Sequence, residues 1–242
     1  MYADDLLLLS ISVSDLQYLI SLCVEECKLI GLEININKSA FLIIGQRHSI
    51  IITPIYLNQA ILNWTCEIKY LGIQILSAKK FMVNLQNLRH KYFRALNGLL
   101  GKIDLNSDNA VLTLSSLIET HCIPILLYGC ESLVYNKSML ATYENAYQQA
   151  YMKLLKTFDK NIIFECQFYL NQLPVELKIA SRQLNFLNHL SYSENSLCRF
   201  LNHRDKEFEN LSIKYLGNKI DNLSVDFKLQ DRLKIYFKWR SI

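Results

Sequence analysis

Glycine and proline are scarce in this chain, seven and three among 242 residues. Their scarcity argues against a loop-rich or all-β protein and for helices. Long apolar runs are missing as well. None approaches the roughly 18–20 residues of a membrane-spanning helix, and the longest candidates are interrupted by Asn, Ser, Lys or Glu. No membrane partner is expected. The seven cysteines are an odd number, and no basic, apolar leader opens the chain. Reduced thiols in the nucleus or cytoplasm are the simpler expectation.

What is present is a chain able to fold. At 51% hydrophobic and 20% charged it can bury a core, as one large domain or two to three small ones. The net charge of +4 is too small to announce a nucleic-acid partner, but it is unevenly spread. Residues 1–75 hold 4 Lys/Arg against 7 Asp/Glu, residues 76–165 hold 10 against 7, and residues 166–242 hold 12 against 8.

Leu6–Ile11 reads as a buried strand. Ser14 with Gln17 forms a capping box for a helix whose stripe is Leu16, Leu19, Ile20, Cys23, Val24 and Cys27, closed by Gly31. Cys23 and Cys27 read as core rather than metal ligands, since two further ligands are missing. Strands are expected at Ile34 with Ile36, at Phe41–Ile44, Ile50–Ile52, Ile55–Leu57 and Ile61–Leu62, with a turn at Asn58-Gln59, and the β-rich stretch closes at Lys69–Ile73.

Helices are expected beyond Lys79. Leu85, Leu88, Tyr92, Leu96 and Leu99 line one face, with Lys91 and Arg94 opposite. A second helix follows Ser107, and Pro124 should kink or end it. A third starts near Ser138 and carries Tyr143, Tyr147, Tyr151 and Phe158 on one face. Pro174 opens a fourth, to about Leu190. Past Ser193 the signal weakens to short basic helices. His121, His189 and His203 show no metal-ligand spacing with Cys122, Cys166 or Cys198, so a zinc knuckle is not supported.

Four segments carry chemistry. Tyr2-Ala3-Asp4-Asp5 places adjacent carboxylates beside an apolar run, as a hard divalent cation requires of its oxygen ligands. Gly31-Leu32-Glu33-Ile34-Asn35-Ile36-Asn37-Lys38-Ser39, Lys69-Tyr70-Leu71-Gly72-Ile73 and Pro124-Ile125-Leu126-Leu127-Tyr128-Gly129-Cys130-Glu131-Ser132 follow in order. Together they resemble the YxDD hairpin, the Gly-Leu-x-Ile-Asn-x-x-Lys-Ser/Thr segment, the Tyr-Leu-Gly turn and the Pro-x-Leu-x-Tyr-Gly-x-Glu segment of non-LTR (LINE-type) retrotransposon reverse transcriptases. The likeness covers residues 1 to about 160 well and the remainder loosely.

The resemblance implies an α+β fold: a partial palm at 1–76, a helical thumb at 77–160 and a helical extension at 161–242. It implies RNA-directed DNA polymerisation with Mg²⁺, an RNA template and a DNA primer. Asp4 and Asp5 would hold the metal, Tyr2 would lie near the primer terminus, and Lys38 would protonate the departing pyrophosphate. Tyr70, Leu71 and Gly72 would grip the primer, and Lys91 and Arg94 would meet backbone phosphates. The acidic beginning and basic remainder suit that arrangement.

The same resemblance places a further metal-binding aspartate, the nucleotide-selecting segment and the fingers upstream of YxDD. With none of these in the 242 residues, the expectation is a fragment inactive by itself, since two-metal chemistry needs its ligands assembled together. A non-catalytic nucleic-acid-binding thumb, or a functionless relic, are the alternatives. Leu6–Ile11 would then be an edge strand without its partner.

Overall fold

The computed structural model describes residues 4–50, 53–57, 60–62, 64–103, 109–196, 198 and 210. The chain divides by packing into two units, Met1–Asn87 and Leu88–Ile242. The first mixes one long helix with two small antiparallel sheets, and the described part of the second is helical.

In the first unit, α1 (Val13–Leu29) is capped by Ser12, whose hydroxyl accepts the Asp15 N–H at 3.1 Å. The cap therefore lies two residues before the expected Ser14, and Gln17 forms no capping box with it. Gln17 is used differently: its amide donates to Tyr56 O and accepts Tyr56 N–H, both at 2.8 Å. One side chain thus satisfies the main chain of β1 (Ile55–Leu57) as a neighbouring strand would. β1 pairs on its other side with β2 (Ala60–Leu62), Ile55 opposite Leu62. Ile20, Ile55 and Leu57 form the buried centre, with Leu8, Leu16, Val24, Ile34, Ile36, Phe41 and Trp64 packed around them.

Leu6–Ile11 is not a strand. Leu6 to Ser10 have no regular structure, and Leu9 and Ile11 are 78% and 105% exposed, while Leu8 alone reaches the core. An extended segment keeps strand geometry only with a hydrogen-bonding neighbour. Phe41–Ile44 is likewise reduced to single parallel bridges, Phe41 to Trp64 and Ile44 to Ala78. Ile51, Ile52 and the Asn58-Gln59 turn lie outside the described residues.

The second sheet is a meander of β3 (Glu67–Tyr70), β4 (Ile73–Leu76) and β5 (Met82–Asn84). Leu71 and Gly72 join β3 to β4, with φ of 46° and 83°. Positive φ at both central residues defines the mirror-image two-residue turn that matches strand twist. Gly72 adopts it freely. Leu71 does so against its Cβ.

In the second unit, α2 (Gln86–Leu100) starts at the boundary and buries Leu88, Tyr92 and Leu96. α3 (Ala110–Leu117) runs into a π-turn, Ile118–Cys122, and then into the short α4 (Ile123–Leu126). The α-helical ladder is interrupted just before Pro124, and the helix ends at Leu126, two residues after it. The proline has no N–H to give Thr120, and its ring would crowd that carbonyl in an α-helix; the wider turn just upstream accommodates both. Gly129, at φ 71°, turns the chain into a 3₁₀ turn, Cys130–Ser132.

α5 (Lys137–Leu155), capped by Asn136, is the centre of this unit. Tyr143, Ala146, Tyr147, Ala150, Tyr151 and Leu154 are buried, so the tyrosine ladder is core. The helix ends sooner than its pattern predicts. Lys156 turns left-handed at φ 52°, and Phe158 leaves the face to become 87% exposed. α6 (Lys160–Tyr169), capped by Asp159, and α7 (Val175–Ser191) pack against α5. Pro174 caps α7 rather than occupying its first turn.

Candidate functional site

The site expected from the sequence is dispersed along the first unit. Tyr2 lies outside the described residues. Asp4 and Asp5 are exposed, in a turn and a single β-bridge. Lys38 ends the 3₁₀ turn Ile36–Lys38, where its N–H is accepted by Asn35 Oδ1 at 3.2 Å and its side chain is exposed. The Asn35-x-x-Lys38-Ser39 spacing is thus a local cap: Ser39 Oγ also donates to Asn35 O at 2.9 Å. Among the described residues no hydrogen bond or ion pair joins Asp4, Asp5 and Lys38.

A Mg²⁺ site for phosphoryl transfer needs several oxygen ligands around the ion. Among the described residues no group of three or more His, Cys, Asp or Glu could hold a metal. Two adjacent exposed carboxylates do not fit that requirement, and no catalytic step follows from them here. Tyr70, Leu71 and Gly72 are half-buried at the tip of the β3–β4 hairpin, the one place where expected site residues are held together by a defined main-chain device.

In the second unit, Lys91 and Arg94 lie on the exposed side of α2, opposite buried Leu88, Tyr92 and Leu96. Gln86–Leu100 contains Arg89, Lys91 and Arg94 and no acid. Arg89 lies 6.0 Å from the centre of the Phe93 ring, and Lys153 of α5 lies 5.8 Å from it. Lys153 also donates to Asn97 Oδ1 at 2.9 Å. Cations held over an aromatic face by cation–π attraction give the Phe93 side of α2 fixed positive charge. The two ion pairs among the described residues, Lys178–Glu119 and Arg182–Glu131, do not involve it.

Those two pairs were not read from the sequence. Glu119 sits in the π-turn and faces inward, accepting from Tyr147 Oη at 2.7 Å and Tyr151 Oη at 3.5 Å, and pairing with Lys178 of α7. Ser115 Oγ and Tyr151 Oη are 3.2 Å apart, and Lys178 stands 5.4 Å from the Tyr147 ring centre. Burial lowers the Lys178 pKa, and the Glu119 carboxylate opposes that fall. Burial also pushes Tyr151 up to about 12, against hydrogen bonds from Ser115 and Tyr147. Glu131, within the Pro124–Ser132 segment, meets Arg182 at 3.3 Å, while Arg182 also donates to Leu127 O. The network ties α3, the π-turn, α5 and α7 together. Its residues are too far apart in sequence for any local pattern to reveal them.

No known family model matches the chain. No solved structure matches it. An uncharacterized transposon-derived protein of Caenorhabditis elegans is 26% identical over 141 residues, which is 57% of this chain and 49% of that protein. The chain therefore spans about half the length of the curated relative it matches, and its similarity is to a transposon-derived protein.

Proposed function

We propose that the chain is a portion of a non-LTR retrotransposon reverse transcriptase, an RNA-directed DNA polymerase by ancestry that does not polymerise as these 242 residues. The observation that carries the reading is the ordered set of four segments beginning at Tyr2, Gly31, Lys69 and Pro124. Similarity to a transposon-derived protein supports it. In this reading the first unit contributes part of a palm, the Leu71-Gly72 hairpin grips a primer, and residues 77–160 are the thumb, followed by a helical extension at 161–242. Asp4 and Asp5 would become metal ligands only with a further carboxylate beside them.

The acid-free α2 favours a retained role in nucleic-acid binding over a relic. Lys91 and Arg94 would contact phosphates, so binding would be salt-sensitive and indifferent to base sequence. Primer extension on an RNA template with Mg²⁺ or Mn²⁺ tests the catalytic half of the proposal. The chain alone is expected to give none. Incorporation that disappears with Asp4→Ala would overturn the claim of an incomplete centre.

A further inference from the structure

We infer that the end of α5 and the adjoining basic turn of α2 form a binding surface for unpaired nucleic acid, with Phe158 as its stacking platform. The inference rests on the nucleic-acid reading above and adds the kind of strand recognised.

Phe158 is 87% exposed, so it contributes nothing to the core. Its helical spacing would have buried it, and a left-handed Lys156 takes it off the helix instead. Thr157 N–H bonds back to Met152 O at 3.3 Å, and Asp159 N–H bonds to Thr157 Oγ1 at 3.2 Å. The main chain on both sides of the ring is therefore tied down.

The surrounding charge selects a polyanion. Lys153 lies in the last turn of α5, Lys156 caps its end, and Lys160 follows at the start of α6, all exposed. Lys153 bridges to Asn97 and Phe93 on α2, which brings Arg89 into the same patch. The one acid within residues 153–160, Asp159, is occupied in capping α6 through the Asn161 N–H at 2.8 Å. An exposed aromatic ring flanked in sequence by Lys153, Lys156 and Lys160 suits a strand whose bases are free to stack. A duplex offers phosphates to the lysines but, away from its two ends, no base face to the ring. The surface therefore prefers single strands.

Fluorescence anisotropy of the full chain with a labelled oligothymidylate and a blunt duplex tests this. Phe158→Ala is expected to weaken single-strand binding about tenfold, a stacked base's ordinary share, and to leave duplex binding and the salt slope unchanged. Phe158→Leu, which keeps the apolar bulk and loses the π face, is expected to show the same loss. Lys153→Glu with Lys156→Glu should weaken both ligands and flatten the salt dependence. Unaltered single-strand affinity in both Phe158 variants would overturn the platform and leave the nucleic-acid reading standing. Equal competition by polyglutamate would reduce the surface to a general polyanion patch and overturn it as well. No binding of either oligonucleotide by the unaltered chain would overturn both proposals.

Discussion

Glu119 and Glu131 make a controlled comparison, because each meets one cation of α7. The Glu119 and Lys178 side chains are 16% and 13% exposed, those of Glu131 and Arg182 32% and 34%. Removing one partner of a buried pair strands the other's charge and costs about 3 kcal/mol; an exposed pair is worth at most about 1 kcal/mol. In urea denaturation Glu119→Ala should therefore lower the unfolding midpoint far more than Glu131→Ala. Equal shifts would mean that the tyrosines, rather than Lys178, hold the carboxylate. The phenols add a pH signature. Burial raises Tyr143 and Tyr151 from 10.0 to about 12. A raised folded pKa gives stability that is complete below the unfolded value of 10.0 and is lost as pH rises through about 12. Lys178, lowered by burial, works the other way, gaining stability as pH approaches 10.5, but it is one group against several. Above pH 10 the second unit should lose stability, its tyrosinate absorbance appearing together with loss of helix. Ionisation of all tyrosines near pH 10 with helices intact would contradict the buried network.

Single elements were legible wherever one face met one core. The α2 stripe and the α5 tyrosine ladder needed only the 3.6-residue period to be read. Failures came where distant partners decide the outcome. Leu6–Ile11 has strand composition and, among the described residues, no strand neighbour. Gln17 completes a main-chain pairing instead of a capping box, because Tyr56 lies against it. α5 stops at Leu155 although apolar spacing continues to Phe158, and α6 escaped notice because its Asp159 cap is followed by a weakly periodic run. The β3–β4 hairpin yields an element-scale test. Leu71 holds φ 46°, a conformation that costs a leucine about 1–2 kcal/mol and an asparagine less. Leu71→Asn should stabilise the hairpin by about 0.5–1 kcal/mol, read as a higher thermal midpoint. A lower midpoint would show that the leucine side chain's packing outweighs its backbone strain.

At the scale of the whole molecule, composition foretold helices and a core, and the polymerase ancestry proposed above rests on the order of the four segments. Neither could assemble a metal centre, because coordination is a matter of three-dimensional convergence, and among the described residues Asp4 and Asp5 gather no third ligand. The first unit also leaves Leu9, Ile11, Tyr18, Leu29 and Ile30 largely exposed. The second unit has the tighter core and the basic helix, and there the claim of retained nucleic-acid binding stands or falls. The direct measurement is the affinity of the full chain for an RNA–DNA duplex across a salt series, beside a Lys91→Glu/Arg94→Glu variant. The account predicts that affinity falls linearly on logarithmic axes for any duplex sequence, and that the variant binds more weakly with a slope shallower by about 1–2 units. An unchanged isotherm and slope in the variant, or no binding at low salt, would contradict it.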